Sequence, residues 1–189
     1  MSTSFAGAQF ALMASYNQWM NEKLYEAAAK LPEAELTAHR GAFFGSLTAT
    51  LNHLVIADTI WLQRFTRHPA PFRALDAVRV LPTPAALTAD EQPALPLLFE
   101  RRRLLDAVIK EWIDEISDAD YEQVVQYRTM KGVPGTKRLA NLLLHFFNHQ
   151  THHRGQATTL LSQAGVDVGV TDLLVLIPND EDGNRGDGQ

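Results

Sequence analysis

Four stretches of this chain repeat apolar residues at three- and four-residue steps. Each runs for roughly 20–28 residues, the length of an arm in a helical bundle. In the first, Met13, Tyr16, Met20, Leu24, Ala28 and Leu31 share a face, and Pro32 stops it. The second follows Gly45, with Ser46 as its predicted N-cap; Leu47, Leu51, Leu54, Asp58, Trp61 and Phe65 recur along it until His68-Pro69. The third begins near Pro93 and carries Leu98, Leu105, Ile109, Trp112 and Ile116. The fourth begins after Thr136 and runs to Gly165, which reads as the residue just past a helix end. The pattern predicts an all-α fold, a four-helix bundle.

The connections differ in kind. HPAPFRALDAVRVLPTPAALTADEQ, about 25 proline-rich residues, separates the second helix from the third and is long for an antiparallel link. It could carry the chain the length of the bundle and leave those two helices parallel. Before the fourth helix, Val125 and Tyr127 alternate with Gln126 and Arg128, and MKG and VPG follow as turn signals, so a small β-hairpin is expected.

At 189 residues and 46% hydrophobic the chain suits one globular domain, read here as residues 1–178. Residues 179–189 are acidic and glycine-rich and are expected to form a flexible tail. A net charge of −5 without a basic block argues against nucleic acid. No apolar run approaches the ~18–20 residues of a membrane span, and MSTSFAGAQF lacks the pattern of a secretion signal, so the expected location is the cytoplasm. The absence of cysteine removes thiolate ligands and a cysteine nucleophile. Any metal must be held by nitrogen and oxygen.

Four of the seven histidines lie in HFFNHQTHHRGQ. On a wheel of about 100° per residue, His153 falls at the centre of the stripe made by Leu139, Leu142, Phe146, Ala157 and Leu160. His149 falls on the shoulder of that stripe, and His145 and His152 fall on its flanks. Two imidazoles one turn apart on an inward face have the spacing to share one ion. The same pair could instead belong to a polar network in the core, provided each ring finds buried partners. A metal site needs a further ligand. His39 lies in a connection and His68 at a helix end; His53 lies within the second helix, on an apolar flank beside Ala57 and Ile60. A wheel alone does not decide whether His53 joins the pair. Gln150 follows His149 where a zincin needs glutamate as general base. Asp58 is expected either to orient a ligand imidazole or to pair with Arg154. Tyr16 and Asn17 could line a pocket, or Tyr16 could be a core residue with its hydroxyl satisfied. Ile56 and Ile60 give the second helix another apolar side, which predicts a homodimer through that side, with the long loop as the competing cover for the same surface.

The stretch NHQTHHRGQATTLLSQAG resembles the DinB/YfiT-like family of metalloenzymes, with support from SYNQWMNEKL, LNHLVIADTIWLQRF and the closing TDLLVLIP. The likeness spans roughly residues 5 to 178. It implies an up-down-down-up four-helix bundle with a long crossover between the second and third helices. It implies a three-histidine site of His53, His149 and His153, usually holding nickel or zinc, and often a homodimer. Relatives in that family include transferases that use small cellular thiols. For this chain the resemblance suggests a metal-dependent enzyme, a thiol S-transferase or else a hydrolase, with a metal-binding stress module as the non-enzymatic alternative. Substrate and reaction are not implied by the fold.

Overall fold

The computed structural model describes residues 5–89 and 92–179. The expected tail lies outside them, apart from Asn179. Among them the chain is mostly helical, with seven α-helices and one two-stranded hairpin. The four long helices are α1 (Phe5–Ala28), α3 (Leu47–Phe65), α5 (Leu95–Glu115) and α7 (Leu139–Gln163), and they match the four periodic segments. Three short helices, α2 (Glu33–Thr37), α4 (Asp76–Arg79) and α6 (Asp118–Glu122), were not expected from the periodicity. Each is shorter than two turns, too brief to show a repeat.

Local chemistry sets the helix ends. The Ser46 hydroxyl accepts the Ala49 N–H at 3.2 Å, which satisfies one of the free donors at the start of α3. The first helix ends at Ala28, short of the expected Leu31, and Pro32 then precedes α2. Pro96 sits in the first turn of α5, where its missing N–H costs nothing. At the end of α7, Gly165 takes φ of +78°, and the Val166 N–H returns to the Leu161 carbonyl at 2.9 Å. That is the left-handed closure expected of Gly165. The hairpin pairs β1 (Val124–Arg128) with β2 (Pro134–Arg138) in antiparallel register, Gln126 opposite Thr136. Thr136 therefore belongs to β2, and α7 begins at Leu139.

α1 packs on α5 and α7, and α3 packs on the same two helices, so α1 and α3 face each other across the middle. Trp112, Phe65 and Phe146 fill the interior, with Phe65 stacked 4.7 Å from Trp112 and edge-on to Phe146 at 5.9 Å. The 66–94 connection is not a loose link: Phe72, Leu75 and Val78 bury themselves in the core. It also runs beside the second apolar side of α3, where Ile60 is buried and Ile56 partly exposed. Gln63 on α3 donates to the Val78 and Leu81 carbonyls, and Leu81, Pro82 and Pro84 line one cleft with Val55 and Ile56.

Seven polar side chains meet between the long helices. Arg102 of α5 pairs with Asp58 of α3 and lies 3.0 Å from Asp106, one turn along its own helix. Asn17 and Asn21 of α1 donate to Asp106 at 3.0 and 2.9 Å. Gln150 of α7 donates to Asp58 at 2.8 Å, and Arg154 donates to the Asn17 carbonyl oxygen. All seven are buried. The expected Asp58–Arg154 pair is thus replaced by an Asp58–Arg102 pair, with Arg154 held by Asn17 and the charges balanced two against two. Every long helix contributes, so the network fixes how the four helices face one another. The Tyr16 hydroxyl donates to the Thr171 carbonyl at 2.7 Å, the satisfied core role foreseen for it.

Candidate metal centre

The same facing brings His53 of α3 against His149 and His153 of α7. The ring centroids lie 5.3 Å apart for His53–His149, 4.5 Å for His53–His153 and 4.4 Å for His149–His153. One nitrogen from each ring lies within 4.8 Å of the others. His53 and His153 are buried and His149 is half-buried, so solvent reaches the cluster on the His149 side. The three histidines singled out from sequence are the three that converge.

The ring nitrogens are not equivalent. Nδ1 of His53 lies 2.9 Å from the Leu87 carbonyl, an obligate acceptor, so Nδ1 carries the proton and Nε2 keeps its lone pair. That Nε2 faces Nε2 of His149 at 3.3 Å. His153 Nδ1 donates to Gln156 Oε1 at 2.8 Å, and the Gln156 amide in turn donates to Nε2 of His152 at 3.3 Å. His153 is therefore also left with a free Nε2. His152 supports the site through Gln156 without joining it, and His145 stands beside Trp61 with ring centroids 5.1 Å apart. Both were expected on the flanks of the helix.

Electrostatics keep the cluster neutral. Burial pushes His53 and His153 below the ordinary histidine value. His149 is pushed down to about 3, first by burial and then by the neighbouring His153 and His53 rings. Three unprotonated imidazoles at neutral pH are the form a divalent ion requires.

Two contributors were invisible in the sequence. The Phe44 ring stacks on His53 with centroids 4.0 Å apart and reaches His153 at 5.4 Å, closing one side of the cluster. Phe44 lies in a tight turn where the Gly45 N–H meets the Ala42 carbonyl at 2.8 Å with Gly45 at φ +83°. A side chain at Gly45 would be strained by that φ and would also press on the His39 ring at 3.0 Å. Leu87 is the other contributor. It acts through its backbone, which no side-chain pattern reports. Asp58 does not orient an imidazole as one expectation had it; its oxygen is taken by Arg102 and Gln150. Gln150 follows His149 in sequence but turns to Asp58, consistent with the absence of a zincin-type base.

A model of the DinB family matches residues 1–183. The protein named DinB from Bacillus subtilis (strain 168) is 26% identical over 157 residues, which cover 83% of this chain and 87% of that protein. No solved structure matches the chain significantly. With its histidines on α3 and α7 and a family match over nearly its whole length, the chain belongs to the DinB family.

Proposed function

We propose that His53, His149 and His153 bind one divalent transition metal, nickel or zinc, and that the centre serves a thiol-dependent transferase. The observation that carries this reading is the convergence of three neutral imidazoles with no carboxylate in the cluster among the described residues. The residues fit an ion: ligands about 2.0–2.1 Å from a tetrahedral zinc stand roughly 3.4 Å apart, and the two facing Nε2 atoms are 3.3 Å apart. Bound there, the metal would supply a Lewis-acidic position that lowers the pKa of a thiol or water.

The chain's own residues prepare that position. The Leu87 carbonyl and Gln156 hold the protons of His53 and His153 on Nδ1, fixing ring orientation and tautomer. Phe44 shields His53 and His153 from water on its side, leaving the His149 side for an incoming group. Attack by a thiol needs no protein base once the thiol is ionised. Hydrolysis is helped by a base, and the closest candidate by sequence, Asp58, is committed to Arg102 and Gln150. A chain without cysteine must also take its thiol from outside.

Assays of the metal-loaded protein with small thiols and a chromogenic electrophile should give a thiol-dependent rate that His149→Ala lacks. Ester or amide cleavage without thiol would replace the transferase reading with hydrolysis. No metal-dependent rate in either assay would leave a metal-binding module. Gln156→Ala tests the support of the site separately: losing the acceptor on His153 Nδ1 should weaken metal binding by about 10–100-fold with the three ligands intact. Competition against a chromogenic chelator measures this, and unchanged affinity would remove Gln156 from the design.

The finer architecture belongs to the same proposal. We read residues 1–178 as one domain and the long helices as up-down-down-up, supported by the length of the 66–94 connection. Among the described residues no helix is long and apolar enough to cross a membrane. Cytoplasmic residence and a homodimer remain part of the reading. The dimer surface proposed is the side of α3 that carries Ile56, which stays partly exposed beside the connection.

A further inference from the structure

A second concave site lies apart from the histidines, at the far end of α3. Its cleft, of about 340 Å³, is lined by Arg64 near the end of α3, Arg67 in the turn just after it, Arg79 of α4 and Arg128 of β1, together with Thr83 and Gln63. Four arginines line this one cleft in a chain whose net charge is −5. No carboxylate lines it. Arg79 touches Asp76 at 3.0 Å in an exposed pair, which binds weakly in water. Arg128 gives one nitrogen to the Gly132 carbonyl at 2.8 Å. Arg67 has no ion-pair partner among the described residues.

Arg64 is held in place rather than left mobile. Its guanidinium lies over the Trp61 ring at 4.7 Å and near the Tyr127 ring at 5.4 Å. Burial pushes its pKa below the ordinary arginine value; the nearby Tyr127 opposes that shift, and Arg67 adds a smaller lowering. Like charges so gathered repel, and a multiply charged anion between them relieves that repulsion while accepting forked hydrogen bonds. A cleft of this size falls at the lower end of the roughly 300–1,000 Å³ typical of small-molecule sites.

We propose that this cleft binds the phosphate group of a small phosphomonoester. A phosphate dianion, with three oxygens and two charges, can engage several arginines at once where a single carboxylate cannot. Nucleic acid offers the same phosphate chemistry, but the acidic chain would repel an extended polyanion beyond the cleft. The proposal stands independently of the metal reading.

Isothermal titration of the full chain with phenyl phosphate tests it, with His153→Ala and Arg64→Gln/Arg67→Gln run in parallel. Wild type and His153→Ala should bind one phenyl phosphate per chain with equal affinity. The arginine double variant should bind about a hundredfold more weakly, roughly tenfold for each charge removed. Arg67→Gln alone, at an exposed position, should give the tenfold step without disturbing the Trp61 stack. Equal binding by the double variant, absence of saturable binding, or loss of binding in His153→Ala instead would each overturn the proposal. A twelve-nucleotide single strand that binds the same arginines and is not displaced by phenyl phosphate would overturn the small-molecule form in favour of nucleic acid.

Discussion

Replacing Arg102 by methionine should cost the fold about 3–5 kcal/mol, because it strips the cation from two buried carboxylates at once. Arg102 and Asp58 are each 1% exposed and Asp106 is 2% exposed, so water cannot take over the lost pairing. Burial already lifts the carboxyls of Asp58 and Asp106 above the ordinary aspartate value of 3.8, with Arg102 the main opposing influence on each. Without Arg102 both should rise further. A carboxyl with a raised folded pKa binds its proton more readily folded than unfolded, so stability falls as pH rises from 3.8 through the folded value. The loss caused by Arg102→Met should therefore be greatest near neutrality and shrink as the medium becomes acidic. The histidine contribution runs the other way, but it is common to both proteins and cancels in the difference. Urea unfolding of wild type and variant at pH 7 and pH 5 reads this directly. A triple variant that also carries Asp58→Asn and Asp106→Asn should recover part of the loss, because a neutral amide needs no cation. A single variant within about 1 kcal/mol of wild type at pH 7 would show that the pairing does not hold the helices.

That network was partly legible in the sequence. Arg102 lies four residues after Leu98 and three before Leu105, and Asp106 lies three before Ile109. Arg102 falls within the apolar stripe of α5 and Asp106 on its flank, where a charge signals a buried partner. Asn17 and Asn21 are placed the same way on α1, four apart and ahead of Leu24. Which of two arginines meets Asp58 depends on the order of helices around the core, and periodicity along one helix does not contain that order. The structure gives Arg102 because α3 packs on α5 as well as on α7.

The histidine cluster was more readable than its surroundings. His149 and His153 follow from one helix wheel, since both sit on or beside a stripe that must face inward. His53 needed the family resemblance, because its flank position on α3 faces α7 only once the helices are arranged. Phe44 and the Leu87 carbonyl lie in irregular chain, where a glycine turn and a proline-rich connection set position without a repeat. The hairpin and the N-cap at Ser46 were legible because their signals are local. The short helices within the connections were not, because tertiary burial of residues such as Leu75 and Val78 stabilises them.

The chain isolated without an affinity tag or chelator should carry close to one divalent ion, and single histidine substitutions should remove it. A structural zinc site of four ligands binds with about 10–16 kcal/mol, so one ligand is worth roughly 3–4 kcal/mol, or two to three orders of magnitude in affinity. His149→Ala and His153→Ala should lose the ion on purification, and His53→Ala should weaken it strongly. His152→Ala should keep it, because that exposed ring acts only through Gln156. The competing account is a polar core in which the His149 Nε2–H donates to His53 Nε2 across 3.3 Å. It predicts no bound ion and only a modest change in stability on substitution. A metal that binds the folded state alone must also stabilise it, so the unfolding temperature should rise with free metal in wild type and stay fixed in His149→Ala. Elemental analysis gives the stoichiometry and thermal unfolding gives the linkage. Full occupancy in His153→Ala would sink the site, while a wild-type unfolding temperature indifferent to nickel and zinc would leave the three histidines as hydrogen-bonded core.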